Sequence, residues 1–86
     1  MAVYVDPIFD HGEKGLWCHL TGESMEELHT FAKQLGLRRI WFQPKSIPHY
    51  DLNPYLRQLA VENGAIPLSR KEFVKKVREM KAQWGE

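Results

Sequence analysis

Three helix starts are written into this chain, and the rest of it must fit between them. Ser24 is followed by Glu27 and Ser69 by Glu72, pairs in which each side chain satisfies an amide that the first turn of a helix leaves without a partner. Asn53 precedes Pro54, whose missing N–H costs nothing in a first turn. Gly36 and Gly64 stop the first two helices. Met25, Leu28, Phe31, Ala32 and Leu35 recur at helical spacing in the first, and Leu56, Leu59 and Ala60 form the stripe of the second. In the third, Phe73, Val77, Met80 and Trp84 share a narrow arc opposite Lys75, Lys76 and Glu79.

The runs left over are short and rich in β-formers. Ala2 to Asp6 is stopped by Pro7, Leu16 to Leu20 follows a polar loop, Arg38 to Phe42 alternates, and Ala65 to Leu68 allows only a short strand. Gln43 to Leu52, with Pro44 and Pro48, reads as loop. The order is ββαβαβα. It predicts a small two-layer α/β sandwich whose four-stranded sheet is mostly parallel, with right-handed crossovers placing the first two helices on one face. Residues 1–86 are read as one domain. A chain this short buries only roughly 60–65% of the surface its unfolded form exposes, so its stability margin is thin.

Apolar residues at 43% and charged residues at 27% supply enough core to exclude a disordered chain. No apolar run approaches the ~18 residues of a membrane span, and the first residues lack the pattern of a signal peptide; a soluble, cytoplasmic protein is expected. Cys18 is the single cysteine, too few for a disulfide or a cysteine zinc site, and its apolar surroundings read as a small buried hydrophobe. Residues 1–37 carry a net −4 and residues 38–86 a net +5, which fits a solvated face, a basic contact surface or self-association into a homo-oligomer. The chain has no glycine-rich phosphate loop, His-Glu-x-x-His helix or Gly-x-Ser-x-Gly elbow. Nucleoside triphosphate hydrolysis, zincin proteolysis and serine esterase chemistry are disfavoured accordingly.

The two-residue period of a strand sorts the side chains into faces. Val3, Val5, Cys18, Leu20, Ile40, Phe42, Ile66 and Leu68 should meet the helices. The opposite set, Tyr4, Asp6, Trp17, His19, Arg39, Trp41 and Gln43, interleaves aromatic rings with hydrogen-bonding groups. Such a face can stack a base while Arg39, Gln43 or His19 contacts phosphate or base edges. Two plainer readings compete: the last helix folds across it, or it is a dimer interface.

A second constellation combines acids and imidazoles: Asp6, His19, and His49-Tyr50-Asp51 after the third strand. Imidazole and carboxylate together suit zinc, manganese or iron, and His49 and Asp51, two apart in a loop, can both reach one ion. Each also has a plainer role, Asp51 beside the Asn53 helix start and Asp6 in a turn before Pro7. His29 edges the first helix's apolar stripe and reads as a core residue, and His11 as a solvated one. Only nine residues join the first two strands, which favours an antiparallel hairpin. In that arrangement Asp6 is expected at the opposite rim from His49.

Val3-Tyr4-Val5-Asp6, Trp17-Cys18-His19-Leu20, Glu27-Leu28-His29-Thr30-Phe31-Ala32 with Leu35-Gly36-Leu37, Trp41-Phe42-Gln43 and His49-Tyr50-Asp51-Leu52, in this order, resemble domain of unknown function 4031. The resemblance spans roughly residues 2–75. It implies a small, mostly stand-alone protein of bacteria or their phages, and names no reaction. By resemblance Asp6, His19, His29, His49, Tyr50 and Asp51 match positions of the family pattern. The acidic or polar residue that often precedes the family's His-Tyr-Asp histidine is here Pro48.

Two functions follow as expectations. The first is a polar pocket of Asp6, His19, His49 and Asp51 that holds a divalent metal or a phosphate-bearing ligand, with His19, His49 and Asp51 as the groups for hydrolysis. Tyr4, Trp17, Arg39, Trp41, Gln43 and Tyr50 are its ligand-binding candidates. The alternative is a non-catalytic module, a phage effector among its forms, that meets nucleic acid, a nucleotide or a protein through the aromatic face and the basic last helix.

Overall fold

All three helices form at their expected starts. The computed structural model describes residues 2–44 and 47–83. Its elements are β1 (Val3–Val5), β2 (Phe9–Asp10), β3 (Leu16–Gly22), α1 (Met25–Leu35), β4 (Tyr50–Leu52), α2 (Pro54–Glu62), β5 (Ile66–Pro67) and α3 (Arg70–Gln83). The Ser24 hydroxyl accepts the Glu27 N–H at 3.1 Å, the Asn53 side chain caps Leu56 at 2.8 Å, and the Ser69–Glu72 pair closes reciprocally at 3.0 and 3.1 Å. Gly36 ends α1 in the left-handed region at φ 88°, where a side chain would be strained.

The sheet differs from the expected one. It has five strands rather than four and is mainly antiparallel: β1, β2 and β4 all run antiparallel to β3, and only β1 and β5 are parallel. Arg38 to Phe42 is not a strand; Arg39–Trp41 makes a short 3-10 turn, with Ile40 77% and Trp41 49% exposed. One edge of β3 belongs instead to Tyr50-Asp51-Leu52, read as loop, which alternates buried, half-buried, buried. Three residues show too little of a period to be read as a strand, and the adjoining Asn53-Pro54 cap disguises them as part of a helix start.

Residues 3–10 and 16–22 form one irregular hairpin with β3. Asp6 N–H donates to the His19 carbonyl at 3.3 Å, and the next pair is Phe9 with Trp17. Pro7 and Ile8 therefore face only Cys18, so the first arm carries one extra residue, as in a β-bulge. Proline suits that place because it has no N–H to offer a ladder.

Val3, Val5, Cys18, Leu20, Tyr50 and Leu52 pack beneath Leu28 and Ala32 of α1 and Ala60 of α2. Burying one such leucine contributes about 1.5–3 kcal/mol. α1 approaches β3 closely at Gly22, where an added Cβ would stand 3.1 Å from Val3 Cγ1 and 3.2 Å from the Leu28 backbone. α1 and α2 thus share a face, as expected. α3 lies on the opposite one, so the layers number three rather than two: Phe73 and Met80 bury Tyr4, flanked by Val77, Leu68 and Ile47. The Tyr4 hydroxyl donates to Glu23 at 2.5 Å, and the Lys76 ammonium sits 5.1 Å from the Tyr4 ring centroid and 3.8 Å from the Glu23 carboxylate. Trp84, expected on the apolar arc of α3, lies outside the described residues.

Candidate metal centre

α3 covers the Tyr4 end of its face and reaches as far as His19, whose ring stacks with Phe73 at 6.3 Å between centroids. At the other end the sheet is the floor of an open cleft of about 790 Å³. Its floor holds His19, His49 and Asp51; its walls are His11 and Lys14 from the hairpin loop, Trp17 from β3, Ile40, Trp41 and Gln43 around the 3-10 turn, and Asn53 and Leu56 from the start of α2.

His19 is half-buried on the central strand, directly opposite Asp51 of β4. Behind it is Asp6, 1% exposed, whose Oδ2 lies 2.8 Å from His19 Nδ1. A carboxylate accepts, so Nδ1–H donates and Nε2 keeps its lone pair. This hydrogen bond, aided by the Asp6 charge, raises the His19 pKa above its ordinary value, against the opposing effect of burial and of the nearby Arg70.

His49 is held from three sides. Its backbone exchanges hydrogen bonds with Gln43 at 2.9 and 3.0 Å, the neighbouring Pro48 carbonyl accepts from the buried Thr21 hydroxyl at 2.9 Å, and Nδ1 donates to the Ile47 carbonyl at 2.8 Å. Its Nε2 is left facing Asp51 Oδ1 at 3.4 Å, while Asp51 Oδ2 accepts from the Gln43 amide at 2.6 Å. The His19 and His49 rings meet edge to face, centroids 5.1 Å apart.

One ligand atom from each of His19, His49 and Asp51 lies within 4.8 Å of the others. Around zinc the corresponding separations are about 3.3–3.6 Å at ordinary bond lengths, so small side-chain rotations close the set. Two imidazoles on one side of an ion with a carboxylate leave further coordination positions for water or substrate. Both imidazoles already donate Nδ1–H to an oxygen, the arrangement that orients metal-bound histidines.

The antiparallel hairpin does not separate Asp6 from His49. That expectation placed His49 after a strand at Arg38 to Phe42; with β4 at Tyr50–Leu52, antiparallel to β3, His19 and Asp51 pair in register and Asp6 stands behind them. Of the other candidates, Trp17, Trp41 and Gln43 line the cleft. Tyr4 lies beneath α3, and Arg39 borders a separate hollow with His29 and Tyr50. Tyr50 is 2% exposed, its hydroxyl 2.8 Å from His29 Nδ1, on the face of the sheet under α1. His29 is the core histidine its helical position predicts; burial, then the Arg39 charge, lowers its pKa.

The residues not foreseen are His11, Lys14, Asn53, Leu56 and Ile40, the last of which was expected to face the helices, together with Phe9, which stacks on His11 at 4.4 Å and lies under the Arg70 guanidinium. For Phe9, His11 and Lys14 the signal was the short link between the first two strands, because a hairpin folds its own loop back beside β3.

No helix among the described residues is long and apolar enough to cross a membrane. No curated protein and no solved structure matches the chain. The match that exists is to a family model covering residues 3–80, most of the chain and all of the cleft's residues, and the protein accordingly belongs to the family described as protein of unknown function (DUF4031).

Proposed function

We propose that the cleft binds a divalent metal through His19 Nε2, His49 Nε2 and the Asp51 carboxylate, and uses it to activate water for hydrolysis of a phosphate-bearing substrate. The observation that carries this reading is the convergence of the three groups within 4.8 Å, with the Nδ1 atom of each histidine already committed elsewhere. A bound ion lowers the pKa of its water toward neutrality and polarises a phosphoryl oxygen. His19, His49 and Asp51 would hold the ion, which would supply the nucleophile; hydrolysis would break the phosphorus–oxygen bond to the alcohol, and the proton given up by the water would end on that alcohol. His11, whose ring centroid is 6.4 Å from that of His19, is the imidazole placed to take the water's proton and return it to the leaving group.

The test is elemental analysis of protein purified without a histidine tag, alongside melting curves with zinc, manganese or EDTA. One ion per chain is expected, with a metal-dependent rise in melting temperature that His49→Ala removes. Failure to take up metal, or a rise that His49→Ala leaves intact, rejects the centre.

A further inference from the structure

The cleft's walls are aromatic where its floor is polar. Trp17 is half-buried and its indole N–H donates to the Lys14 carbonyl, so its ring is held before any ligand arrives. Trp41 and Ile40, 49% and 77% exposed on the 3-10 turn, line the same cleft and have no part in either core cluster. Keeping such side chains in water forgoes burial of about 1.5–3 kcal/mol each, which is understandable where a ligand covers them. Lys14 lines the cleft as well, and the Arg70 guanidinium lies 4.5 Å from the centroid of Phe9, the ring that stacks on His11, so cations stand on the hairpin-loop side of the floor. Asn53 commits its Oδ1 to the cap of α2 and keeps its NH2 as a donor on the cleft wall.

A flat π surface beside a metal-capable corner with nearby cations matches one ligand chemistry: an aromatic heterocycle joined to a phosphate. We infer that the cleft takes a mononucleotide, its base stacked at Trp17 and Trp41 and its phosphate at the His19–His49–Asp51 corner near Lys14. This rests on the metal reading above and adds the identity of the substrate's other end. A volume of about 790 Å³ lies in the range of small-molecule sites, about 300–1,000 Å³. The indoles are sequence-tolerant platforms, because every base has a π face.

The probes are AMP, ribose 5-phosphate and inorganic phosphate, titrated calorimetrically into zinc-saturated protein, with zinc affinity measured on the same preparations. AMP is expected to bind about tenfold or more tighter than ribose 5-phosphate, the worth of one stacked base. Trp41→Ala should erase that margin while leaving zinc and ribose 5-phosphate binding unchanged. Zinc bound normally with AMP no tighter than ribose 5-phosphate overturns the nucleotide alone; no zinc binding overturns the metal centre and this inference with it. A single-stranded oligonucleotide bound far more tightly than AMP, or a dimer that buries Trp41, also overturns it by giving the indoles another occupant.

Discussion

One carboxylate holds His19 at two points: Asp6 Oδ1 accepts the His19 backbone N–H at 2.6 Å while Oδ2 faces the ring Nδ1 at 2.8 Å. Ring tautomer and strand position are thereby set by the same group.

Asp6→Asn separates the two roles. The amide oxygen can still accept the backbone N–H, but its NH2 then faces Nδ1 and drives the proton to Nε2, the atom a metal needs. Zinc affinity should fall about 10–100-fold by calorimetry. Because the His19 pKa is raised from 6.5 in the folded protein, the pair's contribution to stability is full below about pH 6.5 and is lost as the pH rises through the folded value. The melting difference between wild type and variant should therefore be larger at pH 6 than at pH 8.5.

His29 works in the opposite direction. Its lowered pKa means the folded state prefers the neutral ring, so its contribution is full above the unfolded value of 6.5 and is lost as the pH falls through the folded value. His29→Gln, which cannot titrate, should melt lower than wild type at pH 7.5, with the gap narrowing toward pH 5. A gap that widens on acidification would contradict the burial of this ring.

Cys18 is fully buried on β3, in the core beneath α1 and α2, and burial, reinforced by the Asp6 charge, pushes its thiol up to about 12. A thiol reagent at pH 8 should label native protein only as fast as the chain unfolds, and unfolded protein at once. Rapid native labelling would show that β3 opens locally.

Gly22→Ala should lower stability by about 1–3 kcal/mol, a melting shift on the order of 10 °C for a domain of this size. The added methyl meets Val3 Cγ1 on one side and the Leu28 Cβ and backbone N of α1 on the other, so relief requires β1 or the helix to move. An unchanged melting temperature would mean that β1 or α1 shifts freely.

Helix positions were legible because capping is local chemistry: Ser24, Asn53 and Ser69 announce their helices to the next three residues. The pairing of strands is not local. Ile40-Trp41-Phe42 is a run of β-forming residues such as a strand carries, yet nothing in its own composition says that Tyr50–Leu52 takes the β3 edge. His19, His49 and Asp51 meet in the structure despite this error; they were chosen by side-chain type, which does not depend on which segment takes the edge. Asp6 was grouped with them as a ligand, and the structure gives it the position of a support, a distinction that depends on which nitrogen of His19 it reaches. His11 and Lys14 were passed over because a polar loop shows its partners only after the hairpin is closed.

The strand that carries His19 is paired along both edges, to β1 and β2 on one side and β4 on the other, whereas Trp41 rides on a three-residue turn outside the sheet. Floor and walls therefore answer to different constraints. A substitution at His19 must be compatible with the folding of the whole sheet, while one at residue 40 or 41 alters the cleft wall and leaves the ladder intact. In a chain this small, such a division separates the residues that build the sheet from those that only line the cleft, and it marks the 3-10 turn as the place where the lining can be altered without disturbing the sheet.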